Sequence, residues 1–130
     1  MNELSRKFVF YGALFMALAV AIGAFGAHGL KQSLTKEMAV VYHTGVTYQF
    51  YHALGLFAVA FVAHFNPCKK VAWAGYLMIF GMVLFSCSLY ALSITHIMWL
   101  GAITPIGGTG FIVAWILLAW GVKEKSFAKK

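Results

Sequence analysis

Residues 71–122 read VAWAGYLMIFGMVLFSCSLYALSITHIMWLGAITPIGGTGFIVAWILLAWGV, a run of 52 residues without Asp, Glu, Lys or Arg. A helix that crosses a membrane needs about 20 apolar residues, so the run is long enough for two spans. Its most polar segment, Ser93-Ile94-Thr95-His96, is the best place for a break between them. The run therefore predicts spans near residues 71–92 and 104–122.

Two further stretches, of 23 and 31 residues, lack charged side chains in the first half of the chain. Each holds one span, near residues 8–27 and 41–65. Because backbone groups in lipid must find hydrogen-bond partners within the chain, these spans are predicted to be helices. The chain of 130 residues is thus expected to be a single, all-α transmembrane domain.

Small residues recur at seven-residue intervals in three of the four spans. Such seams let helix backbones approach closely and suit the left-handed packing of antiparallel neighbours. We therefore predict an antiparallel, left-handed four-helix bundle within the membrane. The seam residues are Gly12, Ala19 and Gly26, then Ala74, Gly81 and Ser88, then Gly107, Ala114 and Gly121.

Composition excludes most other classes of protein. Hydrophobic residues make up 62% of the chain and charged residues only 10%, whereas a soluble domain has about 25% charged residues. So few charges do not cover a water-facing surface, which excludes a soluble globule. The formal net charge of +7 is suited to anionic membrane lipid, which we expect to be the partner of the basic residues. No nucleic-acid partner is expected.

The ten Lys and Arg residues are divided unevenly between the two ends of the spans. Only Lys31 and Lys36 fall on one side. Positively charged segments stay in the cytoplasm, so both termini are predicted to be cytoplasmic, in an inner or plasma membrane whose anionic lipids attract the basic tail. The eight residues of the cytoplasmic side are Arg6, Lys7, Lys69, Lys70, Lys123, Lys125, Lys129 and Lys130.

The second span carries polar side chains where a membrane span is normally apolar. Tyr48, Gln49 and His52 lie within one helical turn and share a face, and His52 falls near the middle of the membrane. An intramembrane His or Gln is costly to expose to lipid and normally faces the bundle interior. This face predicts a polar site between the helices.

Other polar or small residues lie at a similar depth in the outer half of the bundle. Two interpretations remain open: a hydrogen-bond network that only fixes helix packing, or an outward-facing pocket for a lipid headgroup or small ligand. The full candidate set is His28, Tyr48, Gln49, His52, Ser86, Ser88, Tyr90, Thr104, Gly107 and Gly108.

The fourth span opens with Thr104-Pro105, a pair typical of a helix start with Thr as N-cap and Pro at the first helical position. We therefore expect Ile97 to Ile103 to be an apolar loop or a short interfacial turn. The free N–H groups and positive dipole end of this helix would then face an anion or a polar group.

Alternative functions rest on weaker signals. Metal or haem binding would use His28, His43 and His96, yet these lie in separate segments without ligand spacing, and no cofactor is expected. An oligomeric channel or transporter would have only His52 for ion coupling. An enzyme is the least favoured, since no carboxylate lies within a span and no GxSxG motif occurs. A homo-oligomer or a membrane-protein partner stays open.

The polar positions also carry a family resemblance. The chain resembles the YgdD/YwdK-like family of small inner-membrane proteins, which has eukaryotic relatives. The resemblance implies a four-span membrane protein and no particular activity. It rests on Gly23-Ala24-Phe25-Gly26-Ala27-His28, on Thr44-Gly45 with Tyr48-Gln49 and His52, on Leu84-Phe85-Ser86 with Ser88-Leu89-Tyr90, and on Thr104-Pro105 with Gly107-Gly108.

Overall fold

Four helices form the chain in the computed structural model, which describes residues 1–124. All four are long and apolar enough to cross a membrane, and that part of the chain contains no strand. The all-helical, four-span prediction is therefore confirmed. Of the predicted basic tail, Lys125, Lys129 and Lys130 lie outside the described residues. The helices are α1 (Glu3–His28), α2 (Lys36–Phe65), α3 (Lys69–Thr95) and α4 (Thr104–Gly121).

The first three helices begin before their predicted spans, because charged residues occupy their first turns and the predicted spans contain only the uncharged stretches. Polar side chains fix two of the starts. The Asn2 side chain accepts a hydrogen bond from the Ser5 N–H at 2.8 Å, and the Thr35 hydroxyl accepts one from the Met38 N–H at 3.2 Å. After α3, His96 adopts a left-handed backbone with φ 57°, so the chain breaks at the predicted polar segment.

The start of α4 corrects one prediction. Thr104 is the first helical residue rather than the N-cap, and its hydroxyl lies 2.7 Å from the Ser88 hydroxyl on α3. A 3-10 turn over Met98–Ala102 precedes α4, as expected for an interfacial turn. The Ile103 carbonyl accepts from the N–H groups of Ile106 and Gly107, so these donors of the first turn are not free for an anion.

One turn of α3 is π-helical, over Met82–Ser86. A π turn inserts an extra residue into the helical repeat and changes the direction of the side chains that follow it. In α3, Ser86 points to α2, where it is bonded to the Gly45 carbonyl, while Phe85 lies against Phe111 of α4. Hydropathy does not indicate this turn, because every residue in it is compatible with an ordinary helix.

Consecutive helices run in opposite directions. At one end of the α1–α2 pair, the Ser5 hydroxyl donates to the Ala60 carbonyl at 2.8 Å. At the other end, the Tyr42 hydroxyl donates to the Ile22 carbonyl at 2.6 Å. α3 and α4 are likewise antiparallel, with Gly121 next to Val71 and Gly107 next to Gly81.

The small-residue seams lie where they were predicted, at the contacts between helices. All six seam residues of α3 and α4 are buried, as are Gly12 and Ala19 of α1. Close packing through small residues is a main source of helix association in lipid, where water does not drive the helices together.

Side-chain amides from neighbouring elements satisfy the carbonyl ends of two helices. Asn2 donates to the Ala63 carbonyl near the end of α2 at 2.6 Å. Asn66, between α2 and α3, donates to the Gly121 carbonyl at the end of α4 at 2.8 Å. Both bonds satisfy terminal carbonyls that have no partner within their own helix.

Neighbouring glycines of α4 give a matched test of the α3–α4 seam. A Cβ at Gly107 would lie 2.5 Å from the Phe85 backbone nitrogen, whereas one at Gly108 would lie 3.6 Å from the Phe85 ring. We expect Gly107→Ala to destabilise the protein by about 1–3 kcal/mol through overpacking. Gly108→Ala is expected to be neutral or stabilising by up to about 1 kcal/mol, because Ala favours helix.

Unfolding of both variants in mixed micelles measures the difference. Equal stability of the two variants would contradict the close approach of α3 to α4.

Candidate functional site

The buried amide of Gln49 joins three helices. Its nitrogen donates to the Phe15 carbonyl of α1 at 2.9 Å. Its oxygen accepts from the Tyr90 hydroxyl of α3 at 2.7 Å. Gln49 is only 4% exposed, so both polar ends are satisfied away from lipid. This arrangement fixes the rotation of α2 relative to α1 and α3.

The Tyr90 ring is held in turn by Tyr42, whose ring centroid lies 5.2 Å away. The Tyr42 ring occupies the space beside Gly26, where a Cβ would overlap it. Gly26, a residue of the Gly23–His28 motif, therefore leaves room for the Tyr42 ring, which packs on Tyr90 and so supports the bond to Gln49.

The serines at the end of the π turn complete the contacts of α3. Ser86 donates to the Gly45 carbonyl at 2.7 Å, and Ser88 bonds the Phe85 carbonyl and the Thr104 hydroxyl. Within residues 1–124, no buried side-chain nitrogen or oxygen lacks a partner. This polar half of the candidate set is therefore satisfied internally.

His52 lies in a different environment, among aromatic rings of α4. Its Nδ1 lies 2.8 Å from the Tyr48 carbonyl, and its Nε2 lies 3.1 Å from the Trp115 indole nitrogen. A carbonyl only accepts and an indole N–H only donates, so the imidazole is neutral with its proton on Nδ1. The ring stacks on Phe111 with centroids 3.5 Å apart.

An open groove runs between α2 and α4 beside His52, with a volume of about 520 Å³. Its walls are mainly aromatic, and α3 contributes Phe85. The Tyr48 side chain is 39% exposed, and its hydroxyl makes no hydrogen bond within the described residues. The lining residues are Tyr48, His52, Phe85, Pro105, Gly108, Thr109, Phe111, Ile112 and Trp115.

The candidate residues thus fall into two neighbouring groups. Gln49, Ser86, Ser88, Tyr90 and Thr104 form the satisfied contacts between helices. Tyr48, His52 and Gly108 line the groove. Gly107 is buried against α3 and serves packing.

The other three candidate histidines do not join either group. His28, His43 and His96 are all exposed. In the part of the chain that the structure describes, no three His, Cys, Asp or Glu side chains are grouped to hold a metal ion. His52 uses both ring nitrogens in hydrogen bonds, so binding a metal would require one of them to be broken.

Trp115 and Phe111 line the groove, and the sequence analysis missed both. Trp normally lies at the membrane boundary, and Trp115 instead lies eleven residues into α4. Two features of the sequence could have indicated that Trp115 lies at the site. One is its unusual depth in the span, and the other is its helical face, which it shares with Thr104, Gly108 and Phe111. These features do not by themselves identify His52 as the partner, because that pairing depends on how α4 lies against α2.

We expect Tyr90→Phe to destabilise the fold by about 0.6 kcal/mol and at most about 1.7 kcal/mol, the range for interhelical hydrogen bonds in membranes. The variant keeps the ring against Tyr42 but removes the donor to Gln49. Tyr51→Phe is the matched control, because Tyr51 is 59% exposed on the same helix as Gln49. Unfolding in mixed micelles compares them, and a larger loss in the control would exclude the proposed bond.

Trp115→Phe tests the protonation of His52. In the wild-type protein, ¹⁵N NMR of labelled histidine should show His52 protonated at Nδ1 and unprotonated at Nε2. The variant removes the donor to Nε2, so the Nε2 resonance should move while those of exposed His28 stay in place. A wild-type His52 protonated at Nε2 would rule out the bond from Trp115.

Comparison with known proteins places the chain in a family. Residues 22–108 match the family described as "Protein of unknown function (DUF423)", and this range contains every residue of the candidate set. No solved structure matches the chain.

Several relatives match over nearly their whole length. UPF0382 membrane protein YwdK of Bacillus subtilis is 54% identical over 87% of this chain and 93% of its own. The UPF0382 membrane protein of Staphylococcus saprophyticus is 47% identical over 89% of this chain and 96% of its own. These matches confirm the resemblance drawn from the motif residues, and the chain belongs to the DUF423 family of membrane proteins.

Proposed function

We propose that this chain is a non-enzymatic membrane protein that binds an amphipathic ligand, a lipid or small molecule, in the groove between α2 and α4. The observation that carries the proposal is the groove itself, with about 520 Å³ of space and aromatic walls. It also contains the Tyr48 hydroxyl, which makes no hydrogen bond within residues 1–124. Ligand sites are typically apolar concavities of about 300–1,000 Å³ with a few polar groups that orient the ligand.

The distribution of hydrogen bonds favours the groove over the Gln49 cluster as the binding site. The Gln49 and Tyr90 side chains satisfy each other, so a ligand there would have to replace existing bonds. In the groove, the neutral His52 and the rings of Phe85 and Phe111 offer apolar contact without loss of a bond. The Gln49 cluster thus serves helix packing, and the groove serves binding.

The remaining expectations from the sequence belong to the same proposal. The helices would form a left-handed antiparallel bundle with both termini in the cytoplasm of an inner or plasma membrane. The eight-to-two division of Lys and Arg supports this orientation. The groove would then open in the outer half of the membrane, within reach of lipid or of a membrane-protein partner or second copy.

The described residues offer no observation that favours binding of a metal or haem, and none that favours a channel. Coordination by His52 is opposed by the two hydrogen bonds of its ring. The exposed positions of His28, His43 and His96 do not favour a shared site.

Filling the groove tests the proposal. Gly108→Leu adds a side chain beside Phe85 at a position where a Cβ lies 3.6 Å from the Phe85 ring. Gly101→Leu is the matched control outside the groove, where a Cβ lies 3.7 Å from Leu92. We expect native mass spectrometry of protein released from its own membranes to show a bound mass that falls at least about fivefold in Gly108→Leu. The control should retain it.

Melting temperatures of both variants verify folding. A wild-type protein without a defined bound mass, or an equal loss in the two variants, would overturn the binding proposal and leave packing as the role of the whole polar region.

A further inference from the structure

A cluster of one cation and two aromatic rings lies at the end of the molecule that bears the N-terminus. The Lys7 ammonium of α1 donates to the Tyr76 hydroxyl of α3 at 3.2 Å and lies 5.4 Å from the centre of that ring. Trp73 packs edge-on against Tyr76, with centroids 6.4 Å apart, and is 60% exposed. The cluster therefore combines a charge, a hydroxyl and an open indole face.

The hydrogen-bonding capacity of this cluster is largely unused. An ammonium carries three donors and a tyrosine hydroxyl carries one. Lys7 uses one donor on Tyr76, and the described chain gives neither group a second bond. Two ammonium N–H groups and one O–H therefore remain available to an acceptor.

Basic residues outnumber acidic residues in the first turns of α1 and α3, next to the cluster. Glu3 precedes Lys7 by one turn of α1, but no ion pair joins them in residues 1–124; the ion pair found there joins Lys70 and Glu124. Arg6 and Lys69 are exposed at the same end. Lys69 also shares a face of α3 with Trp73 and Tyr76 by helical spacing.

The depth of the cluster suits the boundary of a membrane. Tyr76 lies seven residues, or roughly 10 Å, from the start of α3, and Lys7 lies four residues, or roughly 6 Å, from the start of α1. Trp and Tyr rings are enriched near the boundary between lipid headgroups and acyl chains, and a lysine side chain close to a helix end can extend to that boundary.

We propose that Lys7, Tyr76 and Trp73 form a binding site for an anionic phospholipid. A phosphodiester oxygen accepts from the free N–H groups of Lys7 and from the Tyr76 hydroxyl, and the glycerol and upper acyl chain lie on the Trp73 indole. Basic pockets between helices at a membrane surface recognise such headgroups. The site uses other residues than the groove between α2 and α4, so each can fail without the other.

Competition between two lipids tests the site. Purified, delipidated protein is titrated with phosphatidylglycerol or with phosphatidylcholine of the same acyl chains, and bound lipid is counted by native mass spectrometry. The wild-type protein should prefer phosphatidylglycerol about five- to tenfold, the effect of one well-placed cation. Lys7→Gln should remove the preference. Tyr76→Phe should weaken binding of both lipids about two- to threefold by removing one donor to the phosphodiester, which both lipids carry, and should leave the preference in place.

Lys36→Gln is the matched control, since Lys36 is an exposed lysine at the opposite end of the helices. It should keep the full preference, and melting temperatures without lipid confirm that each variant is folded. Three results would overturn the proposal: no preference in the wild-type protein, an equal loss in Lys36→Gln, or displacement of the lipid by millimolar glycerol phosphate. The last would indicate a soluble phosphate ligand instead of a membrane lipid.

Discussion

The close approach of α3 to α4 at Gly81 and Gly107 is the contact on which the arrangement of the site depends. A Cβ on Gly107 would meet the α3 backbone, so no larger residue fits without separating the helices. In lipid, helices gain little from hiding apolar surface, and close packing takes its place. Because α4 lies so near α3, Phe111 and Trp115 reach across to His52 of α2.

The same constraint explains how polar groups are distributed. A polar atom in hydrocarbon is costly without a partner, and the described part of the chain leaves no buried side-chain nitrogen or oxygen unpaired. Gln49 is satisfied by α1 and α3, whereas His52 is satisfied by its own helix and by Trp115. α2 thus contacts the other three helices through two side chains. Gln49 joins it to α1 and α3 by hydrogen bonds, and His52 joins it to α4 by aromatic contacts and the bond from Trp115.

The groove and the Lys7 cluster divide the molecule into regions with different chemistry. The groove presents rings and a neutral imidazole, which favour apolar contact. The cluster around Tyr76 and Trp73 presents the Lys7 ammonium and the Tyr76 hydroxyl, whose bonding capacity is only partly used within the described residues. The two proposed sites therefore differ in how they would contact lipid, the groove through apolar contact and the Lys7 cluster through charge.

The sequence by itself determined the number of spans, their helical nature, the break at Ser93–His96 and the seams, because these follow from apolar length, backbone hydrogen bonding and spacing along one chain. It also placed Gln49 and His52 between helices, since polar groups avoid lipid. Only the tertiary structure decided that these two side chains belong to different regions, that Trp115 is the partner of His52, and that a π turn aims Phe85 into the groove. Those outcomes depend on how the packed helices are rotated about their axes, which side-chain contacts fix and hydropathy does not record.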